Sequence, residues 1–231
     1  MSESLVRPGR PSTRAEKPAS VPLPRRSPYS LHPSVAYVQT IVDNLESNTG
    51  KTFAAWVRLA KARGPKQLSQ RRAWLRAQGL GGTQASLVAE RSVGAKPNGF
   101  ADTAEGYLSA AADYVERQYA GKKAALRPLY TLLLEAGLAA GPEAKACPCQ
   151  TVVPLFRNHV FAQIRPSTLS RVDLGLALGD PSKLKAPRQR LLDTGGFARK
   201  DRISHRIEVR KASDVDATLR RWLEVAYQRD G

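Results

Sequence analysis

A strict alternation of inward and outward positions marks the stretch Ile203-Ser204-His205-Arg206-Ile207-Glu208-Val209. A period of two is typical of a strand with one buried face and one face in water. Three further stretches, at 151–156, 160–164 and 171–176, are short and rich in β-branched and aromatic residues, which also indicates strands. Because no helical crossover separates consecutive strands, the sequence predicts an antiparallel sheet.

Helical spacings of three and four surround this predicted sheet. They predict helices over about 104–118, 124–139 and 215–226, capped at Thr103 and at Ser213 or Asp214. Upstream, residues 34–93 predict a compact module of about four helices, with caps at Ser34, Thr52 and Thr83. The predicted fold class is therefore α+β, a small helical module followed by a domain with an antiparallel sheet flanked by helices.

Composition divides the chain further. Residues 1–33 are basic and rich in proline, with few apolar residues, so we expect a disordered tail that is dispensable for folding. Residues 94–103 have the composition of a linker between the helical module at 34–93 and the α+β domain at 104–231. Limited proteolysis is expected to cut in that linker after the tail.

Charge is the strongest indication of function. The chain holds 37 Lys and Arg against 20 Asp and Glu, a formal net charge of +17, and the excess extends over its whole length. A surface this basic favours a polyanionic partner, above all nucleic acid. A basic host proteome, acidic proteins and anionic membranes are the alternatives. The absence of an apolar signal core or spanning segment predicts a cytoplasmic protein with no membrane partner, and no protein partner is indicated.

A glycine-rich turn is the first candidate for phosphate contact. Residues 79–85 read Gly-Leu-Gly-Gly-Thr-Gln-Ala between two predicted helices, the form of a helix-hairpin-helix turn, whose backbone N–H groups meet a phosphate. The preceding helix is expected to place three arginines at the surface. The candidate residues are Arg71, Arg72, Arg76, Gly79, Gly81, Gly82 and Thr83. A plain helix stop and start is the alternative.

A second basic cluster lies in the least regular part of the α+β domain. Its candidate phosphate contacts are Lys183, Lys185, Arg188, Arg190 and Lys200. A solvated loop without a ligand explains the same residues equally well.

A third candidate is a small polar pocket on the sheet. Arg171 and Asp173 lie on one predicted strand and His205 on another, so a ligand-binding or protein-interaction site is the alternative function. If Ile203, His205, Ile207 and Val209 face inward, His205 is instead a half-buried structural residue. Acid–base catalysis would need a partner within hydrogen-bond reach of the histidine. With three histidines and no recognisable nucleophile–base pair, the chain carries no predicted catalytic residue.

Cofactor and metal motifs are incomplete. Cys147 and Cys149 are spaced Cys-x-Cys, unlike a closed zinc site, so we expect core packing or a turn before a strand and no metal. Thr49-Gly50-Lys51-Thr52 resembles the end of a phosphate-binding loop, but Leu45 stands where the first glycine belongs. We interpret it as a helix stop followed by a cap, and no cofactor is predicted.

The layout resembles a bacterial family of unknown biochemical role. Residues 34–93, with Tyr37, the Thr-Gly-Lys-Thr string at 49–52, Trp74-Leu75 and Gly79-Leu80-Gly81, resemble domain of unknown function 4287. Residues 104–229 resemble domain of unknown function 5655, through the stretches at 121–130, 147–151, 171–176 and 204–207. The resemblance implies the two-domain layout and an α+β second half, and it implies no established activity.

Overall fold

A computed structural model describes residues 27–94, 103–184 and 190–231. These residues form helices followed by an antiparallel sheet and a last helix, which confirms the predicted α+β class. The α-helices are α1 Pro33–Asp43, α2 Leu45–Thr49, α3 Phe53–Arg63, α4 Leu68–Ala77, α5 Gly82–Ser92, α6 Ala104–Gln118, α7 Arg127–Leu138 and α8 Ala217–Gln228. Within the described ranges, no helix is long and apolar enough to cross a membrane.

The sheet has strands β1 Lys145–Ala146, β2 Val153–Phe156, β3 Val160–Arg165, β4 Val172–Leu176, β5 Leu192–Asp193 and β6 His205–Val209. Their order is β1-β2-β3-β4-β6-β5, and every neighbouring pair is antiparallel. The four predicted strands are β2, β3, β4 and β6. The edge strands β1 and β5 are two residues long, too short to show a period, and the sequence did not predict them.

One face of the sheet is covered by α7 and α8, and the other is polar. On β4, Val172, Leu174 and Leu176 are fully buried toward the helices. A side chain at Gly137 of α7 would overlap Leu155 of β2, so glycine lets this helix lie close on the sheet. The opposite face carries the polar side chains that alternate with these buried residues along the strands. We call it the open face.

The register of the open face aligns two rows of polar side chains. Arg165, Asp173 and Glu208 are directly paired across β3, β4 and β6. The neighbouring row is Gln163, Gly175 and Arg206. The wet face that the alternation at 203–209 predicted is therefore correct for Arg206 and Glu208.

Buried apolar side chains in the first half form two clusters. Helices α2 to α5 share one around Trp56 and Leu75, whereas Val35 of α1 packs with Tyr107 and Tyr114 of α6. The first helix therefore contacts the α+β half, which its apolar spacing alone did not indicate. The predicted linker lies mostly at 95–102, outside the described residues, so the two-domain division stays a prediction.

Three predicted helix starts are wrong. His32, not Ser34, caps α1 through its Nδ1, because Pro33 occupies the first helical position. Gly81, not Thr83, occupies the cap position before α5, and the Gln84 side chain accepts its N–H at 2.9 Å. Asp216 rather than Ser213 or Asp214 caps α8.

Two other predicted caps are confirmed. Thr52 and Thr103 accept backbone N–H groups at the starts of α3 and α6. Gly50 has φ 71°, which ends α2 in the left-handed region, so the Thr-Gly-Lys-Thr string is a helix stop and cap as predicted.

The predicted tail ends too late in the sequence. Residues 1–26 lie outside the described residues, but Ser30 donates to the Ala146 carbonyl at 2.8 Å, beside a parallel bridge from Tyr29. The Tyr130 hydroxyl also donates to that of Tyr29 at 3.1 Å. Tyr29 packs against the core of the sheet half, and Tyr29 and Leu31 both pack against the cluster of Val35, Tyr107 and Tyr114.

Candidate functional site

A concave pocket of about 750 Å³ opens at one end of the open face. Its walls come from the end of α6 with the following turn, the residues before β2, and the β3–β4 hairpin with β6. The lining residues are Arg117, Gln118, Ala120, Lys122, Lys123, Gln150, Thr151, Arg165, Pro166, Ser167, Leu169, Arg171, Asp173 and Arg206. Among these residues a single carboxylate, that of Asp173, opposes six Lys and Arg side chains.

Two of these cations are fixed in place by carboxylates. Arg171 lies 2.8 Å from Asp173 through Nε and 2.7 Å from Glu208 through a terminal nitrogen. Arg206 contacts the same two carboxylates at 3.2 and 3.3 Å. The four side chains form the sheet network, which holds both guanidinium groups against the sheet.

The remaining cations carry little compensating charge. The side chains of Lys122 and Arg165 make no hydrogen bond or ion pair within the described part of the chain, and both residues are exposed. Lys123 donates to the Pro166 carbonyl at 2.6 Å, and Arg117 donates through Nε to the Asp113 carbonyl at 3.1 Å. Since neither of those acceptors carries a full charge, the pocket retains a strongly positive potential.

The wall of the pocket contains a buried amide. Gln118 is 8% exposed, and its Nε2 donates to the Cys149 carbonyl at 2.8 Å. Its Oε1 is buried and accepts no hydrogen bond from the described residues. The sequence analysis did not identify Gln118 as a site residue.

The cysteines lie behind that wall. Cys147 is buried. The Cys147 N–H donates to the Pro154 carbonyl within β2 at 3.1 Å, and the Cys149 N–H donates to the Val152 carbonyl just before β2 at 2.9 Å, which extends the β1–β2 pairing. Burial raises the pKa of Cys147 to about 12 and that of Cys149 to about 11. Both thiols are therefore protonated near neutral pH, which suits packing rather than nucleophilic attack.

His205 does not join the predicted pocket. Arg171 and Asp173 meet on the open face as expected, but His205 points to the opposite face of β6 and is 2% exposed. Its Nδ1 lies 2.8 Å from the hydroxyl of Ser204, which is also buried. The alternation puts Arg206, rather than His205, beside Asp173, so His205 is wrong as a pocket residue.

The arginines of α4 differ from their expected placement. Arg71 is buried, donating to the Pro65 carbonyl at 2.7 Å and to the Ser92 hydroxyl at 2.6 Å, so its predicted surface position is wrong. Arg71 shares the helix face of Leu68 and Leu75, three and four residues away, which explains its burial. Arg72 pairs with Glu90 at 2.6 Å, and Arg76 is exposed.

The glycine-rich turn joins two helices, α4 and α5, as predicted. Gly79 has φ 98°, a conformation that favours glycine, and Gly81, Gly82 and Thr83 are exposed. A side chain at Gly82 would meet no atom within 4 Å, so close approach of the backbone is not what requires glycine there. Phosphate contact at this turn stays a prediction.

The second basic cluster is only partly described. Lys185 and Arg188 lie outside the described residues. Arg190 is held by Asp216 at 2.8 Å, whereas Lys183 and Lys200 are exposed at the surface. The pocket, which collects cations from four separate segments, is therefore the most developed candidate site in the described structure.

Anion binding is the chemistry that these residues provide. Guanidinium and ammonium groups around one concavity suit phosphate or carboxylate groups. Within the described ranges, no three His, Cys, Asp or Glu side chains form a group that could hold a metal ion.

Comparison with known proteins concerns this same half of the chain. No curated protein and no solved structure matches the chain. The family model described as "Domain of unknown function (DUF5655)" matches residues 115–229, as the motifs of the second half predicted. The match does not extend to residues 34–93, whose resemblance to domain of unknown function 4287 stays a prediction. Residues 115–229, which contain every residue that lines the pocket, therefore form a domain similar to this family of unknown function.

Proposed function

We propose that this protein binds nucleic acid through phosphate contacts, without catalysis and with little sequence specificity, and that the basic pocket is its main contact. The observation that carries the proposal is the set of six cations in the pocket wall, of which only Arg171 and Arg206 are paired with carboxylates, those of Asp173 and Glu208. The net charge of +17 supports a partner with many phosphates rather than one.

The sheet network supports phosphate over a diffuse attraction. Arg171 and Arg206 share their carboxylates, so their positions are set before a ligand arrives and less side-chain entropy is lost on binding. Lys122 and Arg165 are then free to contact further phosphate oxygens. An arginine–phosphate contact has two parallel hydrogen bonds, which makes it directional as well as attractive.

Low sequence specificity follows from what the pocket wall offers. No aromatic side chain is among the described residues that line it, so stacking of bases contributes little. Phosphate contacts position a nucleic acid without reading its sequence. A bacterial cytoplasmic location, as the sequence indicates, would give the protein access to both DNA and RNA.

A second candidate is a small phosphorylated ligand in the same pocket. The observation that favours it is the concavity, because a volume of about 750 Å³ lies in the range of small-molecule sites. This candidate predicts that a mononucleotide binds nearly as tightly as a long strand.

A salt-dependent binding titration tests the proposal. Fluorescence anisotropy with labelled single strands and duplexes should show affinity that falls steeply with salt, by roughly 0.7 to 0.9 in log K per log salt for each phosphate neutralised. Lack of association with DNA or RNA at low salt contradicts the function. A mononucleotide that displaces the strand at equal concentration favours the second candidate.

Matched variants locate the contact. The double substitution Lys122→Ala/Arg165→Ala should reduce the salt slope for single strands by up to about 1.4. Lys61→Ala/Arg63→Ala removes the same charge from exposed positions at the end of α3 and should change the slope less. Equal reductions would mean that the pocket is not the main contact.

A further inference from the structure

The pocket wall holds a buried, uncharged acceptor that phosphate cannot satisfy. The Gln118 Oε1 is buried and has no donor among the described residues, in a side chain that lines the pocket. An unsatisfied buried acceptor destabilises the protein, and a ligand that donates to it recovers part of that loss.

The orientation of this amide is set by its other end. Its Nε2 donates to the Cys149 carbonyl at 2.8 Å, and turning the amide over would place two oxygens together. The group that Gln118 leaves for a ligand is therefore an acceptor. Its natural partner is a hydroxyl or N–H group, next to a site that otherwise attracts anions.

Nucleic-acid backbones differ in that one respect. The internal phosphates and sugars of a DNA strand carry no hydrogen-bond donor, whereas each ribose of RNA carries a 2′-hydroxyl that donates and accepts. A protein that contacts the backbone and not the bases can use this group whatever the sequence. Thr151 and Ser167 add hydroxyls to the same lining.

We infer that the pocket prefers RNA to DNA, with the Gln118 Oε1 accepting a hydrogen bond from a ribose 2′-hydroxyl beside the phosphates that the cations hold. This inference rests on the proposed function and names its substrate class. Arg171 and Lys122 bind the phosphate, and Gln118 distinguishes the sugar.

The test compares three oligouridine strands of one length on the full chain: RNA, 2′-fluoro RNA and DNA. The 2′-fluoro strand keeps the sugar conformation of RNA and lacks the donor. We expect RNA to bind about three- to tenfold more tightly than 2′-fluoro RNA, the effect of one net hydrogen bond. Equal binding of those two strands would overturn the inference.

A substitution of Gln118 completes a double-mutant cycle between this side chain and the ribose 2′-hydroxyl. In Gln118→Leu the preference for RNA over the 2′-fluoro strand should vanish, while the salt slope for the 2′-fluoro strand stays within about 0.3 of the unmodified protein. A preference that persists in a folded Gln118→Leu protein would also overturn the inference. If no strand binds at low salt, the proposed function itself fails, so the two failures are distinguishable.

Discussion

Arginines have different roles in the two halves of this molecule. In α4, Arg71 is buried against Ser92 and Arg72 pairs with Glu90, so each guanidinium joins one helix to another segment. On the open face, Arg171 and Arg206 share Asp173 and Glu208 beside cations without partners among the described residues. A basic side chain is available to a ligand only where the cations outnumber the nearby carboxylates and other acceptors. Sequence composition alone does not show which part of the structure has such an excess.

The largest expected effect separates the two roles of arginine. Arg71→Ala should lower the free energy of unfolding by about 2–3 kcal/mol, because the Ser92 hydroxyl and the Pro65 carbonyl lose their donor inside the protein. Urea denaturation measures the change. Arg76→Ala, on the exposed side of the same helix, is the control and should cost less than about 0.5 kcal/mol.

The contrast between a structural Arg71 and a ligand-binding pocket would be wrong if Arg71 bound a ligand. A stable Arg71→Ala protein with weakened nucleic-acid binding would return the interface to the helical half.

The wall behind the pocket should be chemically inert. Because the Cys149 pKa is raised from 9.0 to about 11, its thiolate population near pH 7.5 is roughly a hundredfold lower than that of an unperturbed thiol. Alkylation by iodoacetamide, followed by mass spectrometry, should be slower by about that factor in the native protein than in urea. The native rate should rise with pH up to about 11, and equal rates in the two states would contradict the burial.

Tyr29, which we assigned to the tail from the sequence, packs at the edge of the sheet half. Tyr29→Ala should cost about 2 kcal/mol in unfolding free energy, since it removes apolar contacts and the hydrogen bond with Tyr130. Tyr37→Ala is the matched control, because that ring is 60% exposed. Thermal melts compare the two variants, and equal small losses would restore residue 33 as the end of the tail.

The smallest expected effect concerns the carboxylates. Glu208→Gln removes a negative charge beside three arginines and should tighten binding to a single strand about two- to threefold at low salt. Glu90→Gln makes the same change beside Arg72 in the helical half and should have little effect. Anisotropy titrations decide, and a larger effect at Glu90 would reverse the comparison of the two regions.

Sequence patterns predicted the sheet better than they predicted the site. The alternation at 203–209 indicates which side chains of β6 face water. Because β6 pairs antiparallel with β4, those side chains lie beside Arg171 and Asp173. The pocket also needs Lys122 and Arg165, whose segments meet only through the strand order and register. Periodicity does not encode that proximity.

One local signal was present and was not used. Arg71 falls on the apolar face of α4, so its position in the pattern indicated burial, whereas the residue type suggested a surface role. For His205 the alternation also indicated the buried side of the strand, which is where the residue lies. Position within the periodicity is the better guide to exposure in this chain.

Backbone NMR during titration with a short single-stranded RNA tests most directly whether the pocket is the interface. We expect the largest amide shift changes to cluster at the pocket wall, at Lys122, Thr151 and Ser167, with small changes at Gly82 and Thr83 in the glycine-rich turn. Shift changes centred on Gly82 and Thr83, with the pocket amides unmoved, would contradict it.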